Sequence, residues 1–143
     1  MEWNYSMDWS EDDLLDGNYC GFVYMIEFPE SGEVYYGMKQ IYKRVKRAEQ
    51  IKHDSIENNW RDYTSSSKIV NRMIGEGMQY KKTILWGFPT MAETAYIESA
   101  IIITEGLKPD ILNLALSHKC RLPTGVTKKR LRGVLQQILE WLN

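Results

Sequence analysis

From residue 21 to residue 37 the chain reads Gly21-Phe22-Val23-Tyr24-Met25-Ile26-Glu27-Phe28-Pro29-Glu30-Ser31-Gly32-Glu33-Val34-Tyr35-Tyr36-Gly37. The first eight residues are rich in aromatic and β-branched side chains, which fit a pleated, half-buried surface. Pro29-Glu30-Ser31-Gly32 is turn punctuation, after which Glu33-Val34-Tyr35-Tyr36 resumes a strand composition. The pattern predicts a hairpin whose two arms each pair a tyrosine with a glycine.

Downstream of the hairpin, Ile41, Val45 and Ala48 recur at helical spacing. They predict a helix over residues 40–52 whose other face is basic. Periodicity fades from His53 to Ser67, so that stretch reads as a loop holding Trp60, Tyr63 and Ser65-Ser66-Ser67. Ile69, Val70, Met73 and Ile74 make a short helix, stopped by Gly75 and Gly77. Lys82-Thr83-Ile84-Leu85-Trp86 reads as a third strand, closed by Gly87-Phe88-Pro89. Thr90-Met91-Ala92-Glu93 has capping-box spacing and opens a helix that runs to about Glu105. Met91, Ala95, Glu98, Ile101 and Ile102 share one sector of it, so one carboxylate lies among core-facing side chains. Thr127 to Leu142 forms an amphipathic helix with Leu131, Val134, Leu135, Ile138, Leu139 and Leu142 as its stripe. That stripe can pack on its own domain or on a second copy, so a homodimer through this helix is one expectation.

At 143 residues, 43% of them hydrophobic, the chain can bury one core. The expected division is an acidic arm over 1–18, one domain over 19–116, and a basic loop with a packed helix over 117–143. No apolar run approaches the roughly 20 residues of a membrane span. The start, Met1-Glu2-Trp3, lacks the features of a signal peptide. A soluble protein of the cytoplasm with no membrane partner is expected. Cys20 and Cys120 lie far apart, without the clustered spacing of a zinc site, and read as free thiols.

The formal net charge of -1 hides an uneven distribution. Residues 1–18 hold Glu2, Asp8, Glu11, Asp12, Asp13 and Asp16 without a Lys or Arg. Removing those six from the 19 acidic residues leaves 13 against 18 basic ones, so the remainder carries +5. Twelve basic residues form two clusters: Lys39, Lys43, Arg44, Lys46, Arg47 and Lys52, then Lys119, Arg121, Lys128, Lys129, Arg130 and Arg132. Each cluster alone fits a solvated face, and the two together also fit phosphate contacts.

The paired motifs ending in Tyr24 and in Tyr35-Tyr36-Gly37 resemble those of the GIY-YIG nuclease family, and the resemblance covers roughly Cys20 to Leu116. Trp60-Arg61-Asp62-Tyr63-Thr64-Ser65-Ser66-Ser67 resembles a segment of GIY-YIG endonucleases of bacteriophages, where a Trp and a Tyr precede a Ser-rich helix start. In a phage-encoded protein the compartment would be the host cytoplasm. The resemblance implies an α/β (α+β) domain with a small three-stranded antiparallel sheet flanked by helices. It also implies a DNA endonuclease that hydrolyses phosphodiester bonds with magnesium, or manganese in its place. Its catalytic roles fall on Tyr24, Tyr35, Arg44, Glu98 and Asn113, with Arg47 as second choice for the arginine and Glu98 as the metal ligand. Many members carry a histidine one helical turn after the arginine, where this chain has Ala48. The base is therefore open between the tyrosines and a more distant His53, while His118 has no counterpart in the motif set.

These residue types suit the chemistry. Hydrolysis of a phosphodiester requires neutralising the non-bridging oxygens while water attacks in line with the leaving oxygen. A carboxylate with a single Mg²⁺ and a guanidinium that holds two oxygens meet that need. Lys39, Lys43, Arg47, Lys128, Lys129 and Arg130 are the candidate phosphate contacts. Ser66 is another, from a helix start that can equally be capped by its serines. The rival readings are a DNA-binding protein that keeps the fold without cutting, and an interaction protein whose acidic arm takes a basic partner.

Overall fold

The computed structural model describes residues 1–116 and 119–143, so His118 lies outside the described residues. The elements are β1 (Asn4–Tyr5), α1 (Glu11–Leu14), β2 (Gly21–Phe28), β3 (Glu33–Gln40), α2 (Lys68–Gly75), β4 (Lys81–Phe88), α3 (Met91–Glu105) and α4 (Gly125–Leu142). The sheet runs in the order β1-β4-β2-β3. Strand β2 is antiparallel to both neighbours, and it is nearly continuously buried because it is covered on both faces. The expected hairpin, third strand and final helices are all present.

The sheet has four strands rather than three. Asn4 and Tyr5 pair in parallel with Thr83 and Ile84, and Ser6 extends the contact through its hydroxyl to the Leu85 carbonyl at 2.6 Å. A two-residue strand cannot display alternation, and this one sits in an acid-rich stretch that reads as solvent-facing. It nevertheless occupies backbone groups on the β4 edge that would otherwise need water. Residues of the acidic segment are woven into the fold: Leu14 is fully buried, and Glu11 pairs with Arg61.

The helix expected over residues 40–52 does not form. Gln40 ends β3, and only Ala48–Gln50 makes a single 3₁₀ turn. Backbone groups between them are committed to distant partners: Ile41 N–H to the Cys20 carbonyl, Lys43 N–H to that of Ile56, and Ala48 N–H to that of Pro89. Arg44 sits at φ 63, in the left-handed region. Ile41 and Val45 are buried at helical spacing by coincidence of two separate anchor points.

The two sheet faces carry different cores. Phe22, Tyr24, Ile26 and Phe28 point to one, where they meet Trp3, Leu14, Trp60, Val70 and Met73 in an aromatic layer that includes α2. Val23, Met25 and Tyr36 point to the other, where Ile97, Ile101 and Ile102 of α3 and Leu131, Val134 and Ile138 of α4 make an aliphatic layer. The apolar stripe of α4 is thus spent within its own chain, which removes the basis for the expected dimer contact. Two ties reinforce this docking: Arg130 pairs with the buried Glu93, and the Asn143 amide donates to Glu105 at 3.1 Å. Among the described residues no helix is long and apolar enough to cross a membrane.

Candidate active site

Strand alternation puts Tyr35, Gly37 and Lys39 on one face of β3, opposite Ile26, Tyr24 and Phe22 of β2. That places Tyr24 directly across from Gly37. A Cβ at residue 37 would lie 2.3 Å from the Tyr24 hydroxyl oxygen, so the glycine exists here to let the phenol lie over the neighbouring strand. Gly21 serves a similar close approach, since a Cβ there would lie 2.4 Å from the Met91 sulfur at the start of α3.

Tyr24 is 1% exposed, and its ring meets those of Tyr35 at 6.4 Å and Tyr63 at 6.0 Å. Burial pushes its pKa well above the ordinary phenol range, and the nearby Tyr63, Tyr35 and Glu98 push it the same way. The side chain of Tyr63 beside its hydroxyl also favours the neutral phenol. Tyr35 is only half-buried. Burial and the charges of Glu98 and Tyr63 raise its pKa, whereas the side chain of Ser66 opposes them. The two tyrosines therefore differ: Tyr24 is buried and held neutral, and Tyr35 is half-exposed beside Ser66.

Glu98 comes from α3, whose start is fixed by Thr90: its hydroxyl accepts from the Glu93 N–H at 3.0 Å and donates to the Glu93 carboxylate at 2.7 Å. Ile97, Ile101 and Ile102 press this helix onto the sheet and bring Glu98 with it. Glu98 is 4% exposed, and desolvation pushes its pKa up to about 7. Its Oε1 is buried and has no hydrogen-bond partner among the described residues. Burying a carboxylate oxygen unpaired is costly, so the arrangement fits a site that receives a cation or donor from outside the chain. Among the described residues no group of three or more His, Cys, Asp or Glu side chains gathers around it. The donor set thus fits a metal held by one carboxylate with the remaining positions left to water and phosphate.

Asn113 lies beside β3 rather than in the cluster of hydroxyls. Its side-chain oxygen accepts from the Tyr36 N–H at 2.9 Å, and its amide donates to the Tyr36 carbonyl at 2.7 Å. Residues 110–112 run parallel to β3, with backbone bonds to both sides of Val34. The Asn113 amide continues that ladder in place of a peptide group and holds the strand that carries Tyr35.

The structure brings Tyr24, Tyr35 and Glu98 together and leaves Arg44 apart. Arg44 is exposed and, among the described residues, makes no hydrogen bond or ion pair. Arg47, the alternative, is exposed and paired with Glu49 at 3.3 Å. Lys43, Lys128 and Lys129 are exposed, whereas Arg130 is engaged with Glu93. His53 sits in an exposed turn. Ser67 is the N-cap of α2, its hydroxyl accepting from the Val70 N–H at 3.3 Å, which frees Ser66 for Tyr35.

Sequence reading missed one member of the cluster and the burial of another. Tyr63 reads as a packing residue in a loop, yet its ring meets that of Tyr24 edge-on with centroids 6.0 Å apart. Lys39 is expected as a phosphate contact, and it is half-buried with its ammonium 4.4 Å above the Tyr63 ring. Burial lowers its pKa. Strand alternation from Tyr35 and Gly37 was the available signal for Lys39; for Tyr63 there was none, because its approach to Tyr24 depends on the loop's path.

Residues 3–112 match the family model described as "Putative endonuclease segE, GIY-YIG domain". No curated protein and no solved structure gives a match.

Proposed function

The chain belongs to that GIY-YIG endonuclease family, and from this premise we propose that it is a DNA endonuclease that hydrolyses phosphodiester bonds with a divalent metal, magnesium or manganese. The observation that carries the reading is the buried, unpartnered Glu98 carboxylate oxygen beside the two hairpin tyrosines.

In this reading Glu98 is the metal ligand. A bound divalent cation would supply charge neutralisation at a non-bridging oxygen of the scissile phosphate. The chain's own residues do the positioning. Tyr35, half-exposed beside Ser66, orients the attacking water. Tyr24, buried against the Tyr63 ring, forms the floor of the site. Asn113 holds β3 in register, so that Tyr35 keeps its distance from Glu98. Lys39, the half-buried cation nearest the tyrosines, attracts the DNA backbone, and Arg44 is the arginine that closes on the phosphate once DNA is bound.

The test is incubation of the protein with supercoiled plasmid in Mg²⁺ or EDTA, beside Glu98→Gln. We expect nicked or linear product in Mg²⁺ alone, and none from the variant. Retarded DNA that stays uncut by the wild type under every metal and plasmid tried would favour the binding-only reading.

A further inference from the structure

Among the described residues three cations lie over aromatic rings, and they differ in what else holds them. Lys82 on β4 is 1% exposed, with its ammonium 4.4 Å from the Trp3 ring centroid. It donates to the Arg61 carbonyl at 2.9 Å and to the Tyr63 carbonyl at 3.0 Å, so its donors are spent inside the fold. The Arg61 guanidinium lies 4.6 Å above Trp60, where Glu57 at 2.9 Å and Glu11 cancel its charge. Lys39 is the third, 4.4 Å above the Tyr63 ring. Among the described residues it makes no ion pair and no hydrogen bond.

That difference matters to an anion. A carboxylate that fixes a cation also cancels its charge. An aromatic face fixes it through the ring quadrupole and leaves the full charge and the N–H donors for a phosphate. Lys39 shares a face of β3 with Tyr35 and Gly37, so an anion held there lies beside the hairpin tyrosines. The Tyr63 ring joins the two groups, lying under the Lys39 ammonium and edge-on to Tyr24 with centroids 6.0 Å apart. Backbone anchors place that ring. Besides the two bonds from Lys82, Trp3 donates its indole N–H to the Trp60 carbonyl at 2.8 Å. Carbonyls 60, 61 and 63 thus all accept from fixed donors, in a stretch that belongs to no helix or strand.

We propose that Tyr63 is a positioning residue whose ring seats the Lys39 ammonium for a DNA phosphate beside the hairpin tyrosines, and that Lys82 with Trp3 anchors that ring. The proposal rests on the nuclease reading and deepens it. The seat requires the ring and not the phenol hydroxyl.

Affinity for a short DNA duplex is measured in EDTA for the wild type, Tyr63→Phe, Tyr63→Leu, Lys39→Ala and the variant that combines Lys39→Ala with Tyr63→Leu. Tyr63→Leu is expected to weaken binding about two- to fivefold, the scale of one exposed cation–π pair, and Tyr63→Phe to keep what Tyr63→Leu loses. Once Lys39 is alanine, Tyr63→Leu should add nothing, because no ammonium is left to seat. In the NMR spectrum of the wild type, the Lys39 methylene protons next to the ammonium should be shifted upfield by the ring. Tyr63→Phe should keep that shift and Tyr63→Leu abolish it. Lys82→Met should reduce it and speed amide exchange across residues 61–63. The wild-type spectrum decides the matter even where a variant does not fold: an unshifted Lys39 overturns the seat. A loss in Tyr63→Leu that is equally large without Lys39 overturns it too, and leaves the nuclease reading standing. Plasmid cleavage in Mg²⁺ tests that reading separately. A wild type that binds duplex through coupled Lys39 and Tyr63 and does not cut overturns the nuclease reading alone, and one that binds no DNA overturns both.

Discussion

The two faces of the sheet are built from the same three long strands yet hold different materials. One is a layer of Phe22, Tyr24, Trp3 and Trp60 threaded with hydroxyls, indole N–H groups and the buried Lys82. The other is packed with Ile97, Ile101, Ile102, Leu131, Val134 and Ile138. Aromatic rings with polar tips can bury large area and still orient a donor or acceptor, whereas branched aliphatic side chains fill space without polar demands. The difference teaches a division of labour: the aromatic layer aims groups, and the aliphatic layer presses α3 down so that Glu98 arrives beside them.

That division can be broken most strongly from the aliphatic side. Ile101→Ala, at a fully buried position, should cost about 2–5 kcal/mol in urea denaturation through lost contacts and a cavity. Cleavage per folded molecule should persist at a temperature well below the new midpoint. A variant that kept its stability and lost its activity would show that the aliphatic face also aims groups.

A second test concerns the carboxylate at the border of the two layers. Glu98 has an ordinary value of 4.5 and is raised to about 7 in the fold. The folded state therefore holds its proton over that window more tightly than the unfolded chain. The stability this contributes is fully present below pH 4.5 and is lost as pH rises through 7, about 3 kcal/mol in metal-free protein. Melting of the EDTA-treated protein from pH 4.5 to 8 should show the fall, and Glu98→Gln should flatten it. Mg²⁺ should restore more stability at pH 8 than at pH 5, because only the ionised carboxylate binds it.

The smallest effect sharpens which face meets DNA. Lys39 belongs to the aromatic side, while Lys128 lies in the first turn of α4 on the other. If DNA lies over the tyrosines, Lys39→Ala should reduce the slope of log affinity against log salt by about 0.9, the release from one phosphate, and Lys128→Ala should leave it unchanged. Equal changes would mean that the duplex also reaches α4.

Much of the architecture could be read before any coordinates. The hairpin, the third strand and the caps at Ser67 and Thr90 were legible because local composition and hydrogen bonding agree there. Glu98 was legible as a carboxylate in an apolar sector. Residues 40–52 were not, because their backbone partners lie up to 45 positions away and the helical spacing of Ile41 and Val45 is accidental. β1 escaped for the same reason, its partners being almost eighty residues distant. Arg130 reads as a phosphate contact until α4 docks and presents it to Glu93, and Asn113, expected as a catalytic residue, pairs with the Tyr36 backbone.

The pairing of Asn4 with Thr83 bears on when the proposed site is assembled. During synthesis the earliest strand stays without a neighbour until β4 has left the ribosome, and Trp3 has no ammonium to cover until Lys82 arrives. Glu98 follows sixteen residues after that. A nascent chain holding the complete tyrosine hairpin is therefore still without the loop anchor and the carboxylate of the proposed site.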